Sequence, residues 1–193
     1  MRATAVKEKV EHAAIELFAA NGVDGVSIAE IAAAAGVSQG ALYRHYRSKE
    51  ELAVHLFSAA YRRTGDALAT IASGQGFPAR IAAMVTLFCT LYDTDAALFR
   101  FMLLAQHTLL RRIDGDGPSP TTAIEAAVED AVGRGEIAPV DSTAAAAAIL
   151  GIVLQTALFH VYGRIGGPLV RHAPALTRAA LAAVTSLTAD NGA

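Results

Sequence analysis

Cysteine and tryptophan are almost missing from this chain, and so are the features of a secreted protein. Its 193 residues include one cysteine, Cys89, and no tryptophan. A single cysteine excludes the disulfide framework of small secreted domains and suits a reducing compartment. Cys89 stands in an apolar segment without nearby basic residues, which favours an inert core thiol over a redox sensor. The segment from Met1 to Thr4 leads into an amphipathic stretch with charges throughout, so we expect no signal peptide and a cytoplasmic location.

Motifs for catalysis and for metal binding are missing as well. The sequence has no glycine-rich phosphate loop, no serine–histidine–aspartate arrangement with a supporting motif, and no histidine, cysteine and carboxylate cluster at metal-ligand spacing. His107 and His160 are each isolated, which favours a structural role or a hydrogen bond in a pocket over metal ligation. We therefore predict no enzymatic activity, no metal site and no cofactor.

Net charge and strand-like alternation are also low. A formal net charge of −2 excludes a uniformly basic nucleic-acid coat. Hydrophobic residues make up 53% of the chain, and many of them are alanine, which favours helix over strand. The one membrane-like run, Ala144 to Tyr162, is interrupted by Gln155, Thr156 and His160. It predicts a helix buried on several sides in a bundle or dimer, with no membrane contact.

The strongest signal that is present is the segment SIAEIAAAAGVSQGALYRHYRSKEE, residues 27–51. Ser27 and Glu30 have the spacing of a capping box, so a helix is expected to begin there. Gly36 stands where that helix needs a left-handed end, and Ser38 can cap a second helix directly after the turn. Two short helices around a tight turn are typical of a helix–turn–helix, a motif whose second helix enters the major groove of DNA.

The predicted second helix presents side chains that suit a DNA groove. Gln39 can read adenine through two hydrogen bonds, and Arg44 can read guanine or hold a phosphate. Tyr43 can donate to a phosphate oxygen, while Gly40 allows a close approach to DNA. The positions expected to face inward are Ala41, Leu42 and Tyr46.

A third helix is predicted to begin at Ser48 and to continue to about residue 73. Ser48 and Glu51 have the spacing of a second capping box. Lys49 then stands in the first turn, where free backbone N–H groups favour a phosphate. Because this helix continues beyond the helix–turn–helix, we expect it to link the DNA-binding end to the rest of the chain.

These motifs belong to a longer pattern. The run AGVSQGALYRHYRSKEEL, together with the upstream AAIELFAANGVDGVSIAEIA, resembles the signature of the TetR family of transcriptional regulators. Tyr46 stands where that family often has phenylalanine. The resemblance covers roughly residues 8–58, and it agrees in the turn glycine, the caps, and the positions of Gly40, Leu42, Tyr43, His45 and Lys49.

The resemblance also implies which positions face DNA. They are Gln39, Gly40, Ala41, Tyr43, Arg44, His45 and Lys49. We add Ser27, a helix cap that can also contact a phosphate. For His45, packing or a phosphate contact stays open as an alternative to base reading.

The whole pattern predicts an all-α fold with two domains. Residues 1–47 are expected to form a three-helix helix–turn–helix DNA-binding domain, and residues 48–193 a helical effector-binding and dimerisation domain. Glycine- and proline-containing breaks are expected at residues 74–76 and 115–120. Besides the helix that begins at Ser48 and the helix–turn–helix itself, helices are predicted over residues 4–20, 79–92, 95–112, 120–133, 143–163 and 174–189.

The last two predicted helices are long and strongly apolar, more than a 193-residue monomer can readily bury. We therefore expect them to form a four-helix homodimer interface, with close approach at Ala146, Gly151 and Ala183. The family resemblance implies the same interface. A two-fold dimer would present two recognition helices to a palindromic double-stranded DNA operator.

The middle helices are expected to enclose a small-molecule pocket. Its candidate residues combine apolar and aromatic walls with a few polar groups, the usual composition of such sites. For Met102 and the phenylalanines, core packing is the alternative interpretation. The candidates are Phe88, Cys89, Tyr92, Phe99, Met102, Leu103, Gln106, His107, Gln155, Phe159 and His160.

Together these observations predict a ligand-responsive transcriptional regulator. The expected form is a repressor that a small, largely apolar effector releases from its operator by favouring a dimer state that does not fit DNA. The alternative is an all-α small-molecule-binding or enzymatic protein whose N-terminal helices bind a protein partner.

Overall fold

The computed structural model describes residues 2–72, 76–113 and 117–190, and the regular elements in these ranges are helical. Tighter 3-10 turns follow the sixth helix at Leu110–Arg112 and precede the ninth at Leu169–His172. The predicted all-α class is thereby confirmed. The helices are α1 Arg2–Asn21, α2 Ile28–Ala35, α3 Gln39–Tyr43, α4 Lys49–Ala72, α5 Phe77–Thr94, α6 Ala96–Leu109, α7 Pro120–Gly133, α8 Ser142–Val161 and α9 Ala173–Asp190.

Local chemistry explains where these helices begin. Helix α5 starts at Phe77, two residues earlier than predicted, because Pro78 fits a first turn in which its missing N–H is not needed. Helix α6 is capped by Asp95, whose Oδ1 accepts from a backbone N–H in the first turn at 3.0 Å. The predicted breaks at residues 74–76 and 115–120 lie partly outside the described residues.

Contacts divide the chain into two compact units, of which the first comprises Met1–Tyr61 and Asp95–Asp116. In this unit α1 packs on α2 and α6. Phe101 of α6 is 1% exposed, and its ring centroid lies 5.6 Å from that of Phe18 and 6.4 Å from that of Phe57. This aromatic cluster gives the first three helices a rigid support.

The helix–turn–helix is built as the sequence predicts. The N–H of Glu30 donates to Ser27 Oγ at 3.2 Å, and the N–H of Ser27 donates to Glu30 Oε2 at 2.7 Å. Gly36 ends α2 with a φ of 65°, in the left-handed region that glycine enters without strain. Ser38 then caps α3 by accepting from the N–H of Ala41 at 3.2 Å. The predicted caps at Ser27 and Ser38 and the predicted turn at Gly36 are confirmed.

The second unit comprises Arg62–Thr94 and Gly117–Ala193. In this unit α8 packs on α7 and α9, and α5 packs on α9. One glycine permits a close approach of backbone to backbone, since a Cβ at Gly65 would lie 2.6 Å from backbone atoms of Pro118 and Ser119. No local pattern marks Gly65, because the backbone that it touches is distant in sequence.

The first unit takes in α6, which the sequence had placed in a second domain. Helix α4 contributes residues to both units, since Tyr61 ends one and Arg62 begins the other. The domain limits 1–47 and 48–193 stay a prediction.

The apolar helix α8 is less covered than expected. It is long and apolar enough to cross a bilayer, and 28% of its most apolar 18-residue stretch is buried within the single chain. Its inner stripe includes Ala146, which is fully buried against its own chain and so cannot meet a second one. The prediction of close approach at Ala146 is therefore wrong, whereas Gly151 is exposed and Ala183 is half-buried.

A buried ionic network connects the start of α5 with the end of α7. Arg80 is 1% exposed, and its Nη1 donates to the Asp130 carboxylate and to the carbonyl of Ala72. Its Nη2 lies 3.4 Å from Glu136 Oε2, which also accepts from the backbone N–H of Phe77. The hydrogen bond from Arg80 lowers the pKa of the Asp130 carboxyl below its ordinary value of 3.8. The network therefore holds the start of α5 and the end of α7 around one guanidinium.

Candidate nucleic-acid interface

Helix α3 exposes the side chains of Gln39 and Tyr43 to solvent. Leu42 is fully buried and anchors the helix, while Tyr43 is 52% exposed. A Cβ at Gly40 would meet no atom within 4 Å, so this side of the helix is open to another molecule. Ala41 is half-buried, a partial departure from its predicted inward position. The exposed positions of the predicted DNA-facing set in this segment are Gln39, Gly40, Tyr43, Arg44 and His45.

Arg44 lies at the end of α3 and leans back along it. Its Nε donates to the carbonyl of Gly40 at 3.4 Å, a long hydrogen bond. That contact uses one of the five N–H donors of a guanidinium. The remaining four are the donors that a guanine edge or a phosphate would need.

Lys49 has a role that the sequence did not predict. Its Nζ donates to two carbonyls of the loop between α1 and α2, those of Asp24 at 3.0 Å and Val26 at 2.8 Å. An ammonium has three donors, so one remains for a phosphate. Lys49 therefore fastens the start of α4 to the residue that precedes the Ser27 cap.

The predicted capping box at Ser48 is formed in part. The N–H of Glu51 donates to Ser48 Oγ at 3.1 Å, as predicted. The Glu51 carboxylate, however, accepts from the N–H of Arg47 at 2.8 Å, one residue before the expected donor. This shift leaves the Arg47 amide satisfied and keeps the loop close to the first turn of α4.

An open cleft of about 520 Å³ brings three of the predicted DNA-facing residues together: Ser27, Tyr43 and Lys49. Its other lining residues include both acids and bases. Hydrogen bonds from Ser27 lower the pKa of Glu30 below 4.5, so this carboxylate is ionised near neutral pH. The cleft is therefore not uniformly positive, although residues 39–49 contain three fixed positive charges and no acid. The charged lining residues are Asp24, Glu30, Arg47, Lys49 and Glu50.

Tyr46 carries a contact that explains its departure from phenylalanine. The side chain is 5% exposed, and its hydroxyl donates to Glu11 Oε1 of α1 at 2.6 Å. Burial and the neighbouring Glu11 carboxylate raise the pKa of Tyr46 well above its ordinary value of 10.0. Tyr46 and Glu11 are 35 residues apart, so no local spacing could have revealed the pair.

The predicted effector residues on α5 and α8 fall into a buried and an exposed group. Phe88, Cys89 and Tyr92 are buried, whereas Gln155 and Phe159 are exposed on α8. His160 is half-buried and contacts the buried group, since its Nδ1 lies 2.9 Å from the hydroxyl of Tyr92, and its Nε2 lies 2.5 Å from the carbonyl of Gly167. Burial raises the pKa of the Cys89 thiol to about 11, which keeps it protonated and unreactive.

The predicted effector residues on α6 are also divided. Phe99 and Leu103 are buried, Met102 and Gln106 are half-buried, and His107 is exposed. Three clefts in the described part of the chain are lined by other residues. The grouping of these residues into one effector site stays a prediction.

Comparisons with known proteins agree with this helix–turn–helix. The sequence model of the bacterial regulatory proteins of the tetR family matches residues 12–56. The uncharacterised HTH-type transcriptional regulator YerO of Bacillus subtilis is 46% identical over 46 residues, which are 24% of this chain and 16% of YerO. The similarity to this curated relative is therefore confined to a short segment of both chains.

Solved structures extend the likeness to the fold of the described chain. The fatty acid degradation regulator FadR from Bacillus halodurans matches with a TM-score of 0.80 and 17% identity, over 91% of this chain and 94% of its own. FadR from Bacillus subtilis, in complex with stearoyl-CoA, matches with a TM-score of 0.77 and 18% identity, over 92% and 99%. At these identities the likeness concerns the fold. Residues 12–56 thus match the helix–turn–helix domain of the tetR family of bacterial regulatory proteins, and the all-α fold of the described chain is similar to that of these solved regulators.

Proposed function

We propose that this chain is a ligand-responsive transcriptional repressor that binds a palindromic operator as a homodimer and is released by a small, largely apolar effector. The observation that carries the proposal is the capped α2–α3 pair, in which Leu42 anchors α3 and the polar residues Gln39 and Arg44 remain exposed. A helix that is supported from one side and polar on the other meets the requirement for reading a major groove. No catalytic step is part of this function.

The eight predicted DNA contacts divide into three groups. Gln39 and Arg44 are proposed to read base edges, because amide and guanidinium groups form bidentate pairs with adenine and guanine. Gly40 and Ala41 are proposed to let the helix approach closely. The proposed phosphate contacts, which fix the position of the protein, are Ser27, Tyr43, His45 and Lys49.

The dimer is proposed to form through α8 and α9. The exposed face of α8 supports this, since it carries Gly151, Gln155, Phe159 and Tyr162 at helical spacing, with Phe159 46% and Tyr162 61% exposed. An apolar face of this kind is normally covered by a partner. We propose a second copy of the chain as that partner, because a palindromic operator needs two recognition helices. If a second protein chain covers this face of α8, the apolar helix needs no membrane, as we propose for a cytoplasmic protein.

The effector is proposed to bind in the second unit, among residues of α5 and α8. Phe88, Tyr92 and His160 offer aromatic surface together with a hydroxyl and an imidazole. The FadR structure from Bacillus subtilis contains stearoyl-CoA, a ligand with a long apolar chain. We therefore propose an effector with a substantial apolar part, and stearoyl-CoA is a suitable first probe.

Selection from a random DNA library would test this function. We expect the purified chain to enrich one palindromic sequence, and the affinity for it to fall steeply with salt. Adding stearoyl-CoA to the retained complex would then test release by an apolar ligand. A folded dimer that enriches no sequence at low salt would refute the DNA-binding proposal. The alternative from the sequence would then be favoured, a small-molecule-binding protein whose N-terminal helices bind a protein partner.

A further inference from the structure

The recognition helix α3 is held by few contacts. It has five residues, and Leu42 is its one buried side chain. The segment that follows, residues 44–48, leads to α4 without a regular helix. The placement of α3 therefore depends on what holds this segment, and Tyr46 is its fully inserted side chain, 5% exposed.

Tyr46 is held by a cluster that joins α1 and α4. The Glu11 oxygen that accepts the Tyr46 hydroxyl also lies 3.2 Å from Nε2 of His55 and 3.7 Å from Nζ of Lys7. The rings of Tyr46 and His55 are 5.5 Å apart between centroids. The carboxylate is thus fixed from its own helix and from α4, and a hydroxyl bonded to a carboxylate makes one of the stronger hydrogen bonds in proteins.

We propose that the hydrogen bond from Tyr46 to Glu11 is a positioning contact, which holds α3 in the orientation that DNA requires and thereby sets how fast the protein captures its operator. This inference rests on the proposed DNA-binding function. The N–H groups of His45 and Tyr46 both donate to the carbonyl of Leu42, at 2.9 and 3.1 Å. Fixing Tyr46 therefore fixes the end of α3 that carries Arg44. The phenylalanine that the family often has here would lack this contact.

The effect on DNA binding depends on the fraction of free molecules in which α3 is correctly placed. If loss of the hydroxyl leaves one tenth of the free molecules with α3 correctly placed, the apparent dissociation constant rises about tenfold. The DNA itself holds α3 in the complex, so the dissociation rate stays almost unchanged and the association rate carries the loss. Removal of a direct base contact acts mainly on the dissociation rate instead. The two roles therefore differ in kinetics.

The test compares association and dissociation rates of variants on the selected operator. Tyr46→Phe keeps the ring and should lower the association rate by about tenfold, equivalent to about 1.4 kcal/mol. Glu11→Gln keeps an acceptor without the charge and should lower the association rate less than Tyr46→Phe does, whereas Glu11→Leu should match Tyr46→Phe. Combining Glu11→Leu with Tyr46→Phe should cause no further loss. Tyr61→Phe is the matched control, since that ring stacks on Phe57 away from α3.

A second measurement needs no DNA. Amide hydrogen exchange of His45 and Tyr46 should become faster in Tyr46→Phe, because their hydrogen bonds to Leu42 lie in the segment that the hydroxyl holds. Exchange in α8 should not change. Thermal melting should show that the variant is folded.

Four outcomes would overturn the inference. If folded Tyr46→Phe keeps the wild-type association rate and the wild-type amide hydrogen exchange, the Tyr46 hydroxyl does not position α3. A faster dissociation rate alone would assign it to a direct DNA contact. A wild-type protein that enriches no DNA would refute the proposed function and this inference with it, whereas operator binding that is insensitive to Tyr46→Phe would refute the inference alone.

Discussion

Arg80 shows how much a single residue can stabilise this chain. Its side chain is 1% exposed and faces the carboxylates of Asp130 and Glu136. Arg80→Ala would remove the buried cation between the two acids and leave them only the exposed Arg134, so we expect the free energy of unfolding to fall by about 3 kcal/mol, the lower end of the range for a broken buried ion pair. The lower end applies because the side chain of Asp130 is 41% exposed and can turn to water. Urea denaturation followed by circular dichroism would measure it.

The matched control for this prediction is Arg134. It also contacts Asp130, with Nε at 3.0 Å from the carboxylate, but its own side chain is 47% exposed. Exposed ion pairs contribute little, so Arg134→Ala should cost less than about 1 kcal/mol. Equal losses for the two variants would show that burial of Arg80 does not decide the effect.

At the residue scale, predictability depends on how far away a partner lies in the sequence. The cap at Ser27 and the turn at Gly36 were predicted, because their hydrogen bonds stay within a few residues. The hydrogen bonds of Lys49 and Tyr46 were not predicted, because their partners lie 23 to 35 residues away in the sequence. Sequence spacing could place Lys49 near DNA and turn Tyr46 inward, but it could not show what holds either side chain.

Helix α2 depends on its first turn, and that dependence should vary with pH. The pKa of Glu30 is lowered from 4.5 mainly by the hydrogen bond with the Ser27 side chain. Because the folded-state pKa is the lower one, this stabilisation is present above 4.5 and is lost as the pH falls through the folded value. Ser27→Ala should cost about 1 kcal/mol near neutral pH. The cost should shrink in acid, as melting temperatures at several pH values would show.

Ser38 provides the control for that prediction at the next helix. It caps α3 through the N–H of Ala41, and α3 has no acidic residue in its first turn. Ser38→Ala should therefore lower the melting temperature by an amount that does not depend on pH. A parallel pH dependence for the two variants would contradict the assignment to Glu30.

The packing of α4 against the turn before α7 should depend on the absence of a side chain at Gly65. An added Cβ would lie 2.6 Å from backbone atoms of Pro118 and Ser119, which cannot give way as a flexible side chain can. Gly65→Ala should therefore destabilise the chain by about 1–3 kcal/mol. Gly40→Ala is the control, since the space around Gly40 is open. It should keep stability while weakening DNA binding, and an equal loss of stability would contradict the argument.

For the whole molecule, the order of helices could be predicted and their assembly could not. Periodicity and caps are local, so they indicated the all-α class and the helix–turn–helix. The packing of α6 on α1 rests on a contact between Phe18 and Phe101 that no spacing reveals. The effector residues could not be predicted with certainty of burial either. The sequence indicates which helices are apolar, but it does not show which of their side chains are buried. Phe88 turned out buried and Phe159 exposed.

The proposed dimer is the largest-scale prediction, and Phe159 is the residue to change. Phe159→Glu places a charge on the exposed apolar face of α8 without disturbing the single-chain core. We expect dimer affinity to fall by roughly 30-fold or more, as for a 2 kcal/mol hot spot. Leu104→Glu, at an equally prominent apolar position in the first unit, should leave the dimer intact. Light scattering over a range of protein concentrations would measure both variants.

Phe159→Glu also tests whether binding to the palindrome requires the dimer. Each chain has its own helix–turn–helix, so a monomeric Phe159→Glu protein should keep weak affinity for a half-site and lose the advantage of the palindrome. The wild type should bind the full palindrome far more tightly than either half. If Phe159→Glu stays dimeric, the chains associate through another surface. If it becomes monomeric and still prefers the full palindrome, the two chains meet on DNA through a contact other than α8.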